Sequence, residues 1–227
     1  MEYSVDVDGF TMTEGFLATT AIDALILATG HGGHADARRG GVRNLLDVYE
    51  VRTLADSPRV RAIVEEILGA DARVVRGILF DKTEGANWKV PWHQDVTIAV
   101  RDRVDAEGFG PWSMKAGVVH VQPRSSVMEK MISLRFHLDD CPEENGALRV
   151  IPGTHLKGKL NEREIQSIGE VQDAVICAME RGGLLVMRPL LIHASSASTT
   201  PDHRRVIHLD FAAAALPAPM EWAINQA

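Results

Sequence analysis

Apolar residues recur at helical spacing along the first third of the chain and at a period of two along the rest. Between positions 11 and 29, Phe16, Ile22, Leu25 and Ile26 fall on one face of a 3.6-residue repeat, which predicts an amphipathic helix. Leu54, Val60, Ile63, Val64, Ile67 and Leu68 predict a second helix from Val51 to Leu68, which Gly69 is placed to end. From Arg73 onward the pattern changes to short β-rich runs at 74–80, 96–100, 131–138, 147–151, 174–179, 184–187 and 204–211. Gly, Pro or Asn punctuates most of the joins. Helices first and strands afterwards predict an α+β chain, with the helices on one side of a β-sandwich or barrel. The 227 residues suit one domain, mainly helical over 1–72 and with its β core over 73–214.

Alternation sorts the strands into faces. Ile132, Leu134, Phe136 and Leu138 are apolar, whereas Ser133, Arg135 and His137 between them are polar. In the last run Arg205, Ile207, Leu209 and Phe211 alternate with Arg204, Val206, His208 and Asp210. One face is mainly apolar and the other carries ionisable groups. That polar face is either solvated or the lining of a cavity enclosed by the barrel.

Composition narrows the partners. A net charge of −7 and a pI near 5.7 argue against a nucleic-acid or anionic-membrane surface, both of which demand basic patches. No apolar run approaches the ~18 residues of a transmembrane helix. The acidic start Met1-Glu2-Tyr3-Ser4-Val5-Asp6 lacks a basic region followed by an apolar one, so the expectation is a cytoplasmic protein with no nucleic-acid and no membrane partner. Cys141 and Cys177 are too few for a disulfide scaffold. No oligomeric state is implied.

The candidate chemistry centres on Pro91-Trp92-His93-Gln94-Asp95. In a β-strand, residues i and i+2 share a face, so His93 and Asp95 would present an imidazole and a carboxylate side by side. His193, 100 residues downstream, lies where an apolar strand runs into a small polar loop. Two histidines and one carboxylate leave half of an octahedron open, the arrangement of non-heme Fe(II) oxygenases. With nine histidines in the chain, this spacing alone selects no single set. His31 and His34, in a Gly-rich stretch with Arg38 and Arg39, read as loop histidines rather than a metal pair, because no cysteine or carboxylate cluster accompanies them.

Four stretches, in order, carry a family likeness: Trp92-His93-Gln94-Asp95; Leu138 to Leu148 (LDDCPEENGAL); Val150-Ile151-Pro152-Gly153-Thr154-His155; and His193-Ala194-Ser195 followed by Arg204. Together they resemble the phytanoyl-CoA dioxygenase family of Fe(II)- and 2-oxoglutarate-dependent oxygenases. The resemblance implies a double-stranded β-helix (jelly roll) with the N-terminal helices packed on one side. It implies Fe(II) on His93, Asp95 and His193, and 2-oxoglutarate and O2 as co-substrates. Ser195, and Arg204 eleven residues past His193, would hold the far carboxylate of 2-oxoglutarate. An arginine fork suits a carboxylate, and a neighbouring hydroxyl adds a hydrogen bond. His155 is expected to support its turn.

The implied reaction is hydroxylation, or another oxidation by C–H abstraction, of a small-molecule metabolite, with release of succinate and carbon dioxide. Related halogenases lack the metal-binding carboxylate, which Asp95 supplies here. Candidate substrate contacts are Lys82, Trp88, His120, Gln122, Arg135 and His137, with His120 and Gln122 in a Pro- and Gly-bounded, lid-like stretch that reads equally as a plain loop. Apart from Arg38, Arg39 and Arg43, no concentrated basic surface offers itself to the phosphates of coenzyme A. The rival reading is a jelly roll that binds a ligand without redox chemistry, or that uses the same triad on zinc for hydrolysis. Ser195 and Arg204 separate the two, since a zinc hydrolase has no need of them at that spacing.

Overall fold

A computed structural model of the chain describes residues 2–30, 41–199 and 203–224. His31, His34, Arg38 and Arg39 lie outside the described residues.

The N-terminal third departs from the pattern at two points. Residues 11–29 are not one helix: Phe10–Thr13 (β1) is a strand, and the helix α1 spans Thr19–Gly30. Phe10 is fully buried opposite Met187, so strand pairing with a distant partner overrides the local helical spacing. After the short strand Gly41–Arg43 (β2), the expected helix from Val51 to Leu68 is two helices, Tyr49–Ala55 (α2) and Pro58–Leu68 (α3). Ser57 is extended, as a residue before proline prefers, and Pro58 starts the new helix where its missing N–H costs nothing.

The strands that follow are Arg73–Lys82 (β3), Val90–His93 (β4), Ile98–Val100 (β5), Trp112–Lys115 (β6) and Val118–Val121 (β7). After the short helix Ser125–Met128 (α4) come Met131–His137 (β8) and Leu148–Val150 (β9). Helix α5, Glu162–Val171, begins in a capping box between Asn161 and Glu164. Val175–Cys177 (β10), Leu184–Met187 (β11), His193–Ser195 (β12) and Arg204–Ala212 (β13) complete the chain. The lid-like stretch around His120 is a hairpin, β6–β7, turning on Ala116 and Gly117, both at positive φ (50° and 78°).

The strands form antiparallel sheets. A six-stranded sheet has the order β1-β11-β8-β13-β3-β2 and a four-stranded sheet the order β10-β9-β12-β4; β5-β7-β6 is a third, smaller sheet. This is the double-stranded β-helix with its N-terminal helices on one side. The outer face of the large sheet (Ile132, Leu134, Phe136, Ile207, Leu209, Phe211) packs on Ile22, Leu25, Val51, Val60 and Val64 of the helices. At the β1–β11 end the inner face is also apolar, where Phe10, Leu185 and Met187 meet Leu148, Val150 and Leu191. Only the β3–β13–β8 part of the inner face is polar. Ser133, Arg135, His137, Arg204, His208 and Asp210 are all buried there, so the polar face is a cavity lining and not a solvated surface. No helix among the described residues is long and apolar enough to cross a membrane.

Candidate active site

Antiparallel pairing of β4 with β12 sets His93 directly opposite His193, with ring centroids 4.1 Å apart. Asp95 follows two residues after His93, its backbone N–H held by the Pro189 carbonyl at 2.9 Å. Between them Gln94 points the other way. It donates to the Leu190 and Gly158 carbonyls and accepts from the Leu160 N–H, which ties β4 to both neighbouring loops. Thr154 does the same for β12, accepting from the Ile192 N–H at 2.9 Å.

His93, Asp95 and His193 bring three ligand atoms within 4.8 Å of one another. Asp95 lies 3.9 Å from His93 Nε2 and 3.7 Å from His193 Nε2, too far for hydrogen bonds. Each Nδ1 lies 2.9 Å from a backbone carbonyl, that of Pro91 for His93 and of Leu191 for His193. A carbonyl only accepts, so Nδ1 carries the hydrogen and each Nε2 presents a lone pair toward Asp95. Burial, then His93, pushes His193 down to about 3, so it stays neutral at physiological pH. Burial acts to raise Asp95, but His193, His93, His208 and Arg76 outweigh it and hold the carboxyl below its ordinary range. Two imidazole Nε2 atoms and a carboxylate, converging with no hydrogen bond between them, fit a divalent cation.

Beside the triad lies a cluster of buried cations. Register places Lys82 opposite Arg204, and His208 between Ile78 and Arg135, all on the inner face. Lys82 Nζ donates to Ser195 Oγ at 2.7 Å and to the Ser196 carbonyl. Burial, then Arg204, lowers Lys82 to about 8. Because Ser195 Oγ accepts from Lys82, its own hydrogen is available to a ligand; the one competing acceptor, the Ser196 carbonyl, is a long 3.4 Å away. Arg204 donates through Nη1 to the Gly146 carbonyl, while its Nε has no partner. Gly146 must be glycine, for its φ is +69° and a Cβ would stand 2.5 Å from the Ser196 carbonyl oxygen. Arg205 turns outward and pairs with both oxygens of Asp139, at 2.8 and 2.6 Å. Lys82, Arg135 and Arg204 have no ion pair with a carboxylate among the described residues. Uncompensated buried cations of this kind are costly unless an anionic ligand joins them.

The sequence profile of the phytanoyl-CoA dioxygenase (PhyH) family matches residues 5–206. The chain belongs to the phytanoyl-CoA dioxygenase family. Two curated relatives match over shorter spans. The multifunctional dioxygenase prhA of Penicillium brasilianum is 38% identical over 71 residues, 30% of this chain and 23% of its own length. The human peroxisomal phytanoyl-CoA dioxygenase is 33% identical over 91 residues, 34% of this chain and 27% of its own. The chain thus spans about a quarter of the length of the curated relatives it matches. Among solved structures, AviO1 from Streptomyces viridochromogenes Tue57 shares the fold at a TM-score of 0.66 and 22% identity, over 95% of both chains. EctD from S. alaskensis, crystallised with 2-oxoglutarate and 5-hydroxyectoine, does so at 0.70 and 18%, over 92% of this chain and 73% of its own.

In this PhyH-family chain the cavity at the triad, about 170 Å³, is lined by Trp88, Arg135, Ser195 and Arg204 as well as the three triad residues. His120 lines an adjoining cavity of about 590 Å³. Gln122 lines neither; its amide oxygen accepts from Lys159 on the outside. His155 is also remote, its Nε2 lying 3.2 Å from the Asp6 carbonyl. Arg76 and Lys115, which the sequence reading passed over, line the site, as does Arg43, which it placed in a basic loop; Asp210, already on the polar face of the last strand, pairs with Arg76. Asp210 is buried and accepts from Arg76, Ser133 and His208. Arg135 donates to His208 Nδ1 at 3.1 Å and cannot accept, so Nδ1 is the acceptor there and His208 donates from Nε2 to Asp210. Arg76 shares parity with Lys82 on β3, a signal the alternation offered.

His137 is buried on the same face, and neither of its ring nitrogens has a partner. Burial, then Arg135 and Arg204, pushes it down to about 3 from an ordinary 6.5. The unfolded chain therefore takes up this proton first as pH falls. Its stabilising contribution is whole above about pH 6.5 and declines by ~1.4 kcal/mol per pH unit on the way down to about 3. Replacing His137 by leucine should flatten the acid limb of a urea-stability profile by about that slope. An unchanged limb would mean that the His137 imidazole is not held neutral by the fold.

Proposed function

We propose that this protein is an Fe(II)- and 2-oxoglutarate-dependent oxygenase acting on a small molecule. The observation that carries the reading is a two-histidine, one-carboxylate donor set placed next to buried, carboxylate-free cations. His93, Asp95 and His193 would hold the metal through two Nε2 atoms and a carboxylate oxygen. The metal with 2-oxoglutarate and O2 supplies the oxidising chemistry, with succinate and carbon dioxide as by-products. Arg204 and Ser195 would take the far carboxylate of 2-oxoglutarate. Lys82, expected from sequence among the substrate contacts, joins them, because its ammonium already touches Ser195 Oγ. Trp88 covers Lys82, whose Nζ lies 5.5 Å from the ring centroid, and helps keep water from that end of the site.

Asp95 matters for the outcome as well as for binding. A carboxylate on the metal leaves no place for a halide, which supports hydroxylation, desaturation or ring formation over halogenation. The cations beside the triad also weigh against a zinc hydrolase, which needs no carboxylate cradle. Anaerobic addition of Fe(II) and 2-oxoglutarate should produce the pink-violet charge-transfer absorption of the chelated metal. A colourless mixture from a protein that binds zinc tightly would reject the oxygenase reading.

A further inference from the structure

The mouth of the site is ringed by positive charge that neither the triad nor the carboxylate cradle uses. Arg43, at the end of β2, pairs in register with Ile78 of β3 and so shares the inner face with Ile78 and Arg76. Lys115 ends β6, one residue before the hairpin turn, and lines the same cavity as His93, Asp95 and His193. Arg43 and Arg76 also line the larger cavity, so Arg43 stands at the junction of the two. Arg76 is taken by Asp210, whereas Arg43 and Lys115 have no ion pair or side-chain hydrogen bond among the described residues. Burial first and neighbouring arginines second make both cations harder to keep charged: Arg76 acts on Arg43, and Arg43 and Arg76 act on Lys115.

Counting charges shows what is missing. Six cations (Arg43, Arg76, Lys82, Lys115, Arg135, Arg204) converge on a region whose carboxylates are Asp95 and Asp210, an excess of four. A divalent metal adds two positive charges and 2-oxoglutarate removes two, so loading the site leaves that excess unchanged. Asp47 and Arg52, exposed at the outer rim of the larger cavity, are of opposite sign and do not alter it. This excess sits in a chain whose net charge is −7.

We infer that the substrate is an anion, a small molecule whose carboxylate or phosphate is gripped between Arg43 and Lys115 while its body occupies the larger cavity. The inference rests on the oxygenase reading above. A guanidinium fork takes two oxygens of an oxyanion, an ammonium takes another, and the bound anion relieves the repulsion between the two cations. The body would lie against Leu46, Val75, Ile78 and Val118, with Asn44, Asp47 and Arg52 also in the wall, so it carries both apolar and polar groups. It also carries a hydrogen-bond donor. His120 Nδ1 lies 3.0 Å from the Val118 carbonyl and so bears the hydrogen, leaving a buried Nε2 lone pair with no partner in the wall of that cavity. A hydroxyl or amine of the substrate would satisfy it.

Calorimetric titration of protein loaded with Mn(II) and 2-oxoglutarate tests this without turnover. Hexanoate and hexyl phosphate are the anionic probes; hexanamide and hexanol are their neutral counterparts. The anions should bind and the neutral probes should not, and the tighter of the two anions identifies the oxyanion. Arg43→Gln and Lys115→Gln should each weaken anion binding on the order of tenfold, a modest effect because both side chains are partly exposed. Arg43→Lys should keep part of it, and 2-oxoglutarate affinity should be the same in all three variants. Neutral probes that match the anions would overturn the inference, as would anion binding that survives the double substitution. So would a wild type that binds 2-oxoglutarate but none of the probes. A wild type that takes up no 2-oxoglutarate rejects the oxygenase reading itself, and this inference with it.

Discussion

Replacing Arg204 by alanine is expected to raise the 2-oxoglutarate requirement by ~30-fold to several thousand-fold, while metal binding survives. Truncating one partner of a buried charged pair costs ~2 to 5 kcal/mol, and each ~1.4 kcal/mol is tenfold in affinity. Arg204 is only 4% exposed, with an unpartnered Nε, so the full range applies rather than the small value of a surface pair. The triad stands on β4 and β12 and the loop after β4, away from β13, which is why metal content should not change. Arg205 is the natural control. Its guanidinium is held by Asp139 on the outer side, so Arg205→Ala should lower stability modestly and leave the 2-oxoglutarate dependence alone. Succinate formation against 2-oxoglutarate concentration, with metal content by elemental analysis, reads both variants. Reversed effects would mean that β13 holds the other arginine inward; no effect from either would remove 2-oxoglutarate from the account.

Strand alternation made the inner and outer faces of β8 and β13 readable, and with them the inward set Arg135, His137, Arg204 and His208. It left open whether that face meets water, because a solvated face and an enclosed polar face have the same local pattern. What closes the site is pairing with strands far away in sequence, above all β12 against β4. The same limit hid β1 and β2. Each is only three or four residues long, and each is a strand because a partner more than thirty residues away offers it a hydrogen-bonded edge. Arg43 therefore read as part of a basic loop and not as a wall of the cavity. The break between α2 and α3 was legible in Ser57-Pro58, where the apolar spacing carried through and the proline did not. Net composition also misled: −7 over the whole chain concealed a concentrated positive interior that only the register of β2, β3, β8 and β13 assembles.

Metal binding should collapse when either His93 or His193 is replaced by alanine. Losing a mere outer-shell partner of a ligand typically costs ~10- to 100-fold in affinity, so removing a ligand outright should exceed that. Each histidine is held in place by its own Nδ1 contact to a backbone carbonyl, so its ring is already aimed at the metal position. His120 has the same kind of Nδ1 contact, to Val118, but it faces the adjoining cavity, and His155 lies against Asp6; among the described residues neither belongs to a group of metal-ligating side chains. His120→Ala and His155→Ala should therefore keep the metal. His93 is the more telling of the two ligand variants, because its side chain is 35% exposed and its removal leaves the core intact, whereas the His193 side chain is 4% exposed and its loss opens a hole between the sheets. Equilibrium dialysis against Fe(II) or Mn(II), with melting temperature measured in parallel, distinguishes a lost ligand from a damaged fold. A His93→Ala protein that melts like the wild type and still holds one equivalent of metal would show that the ion sits elsewhere, and the roles given to Asp95 and His193 would fall with it.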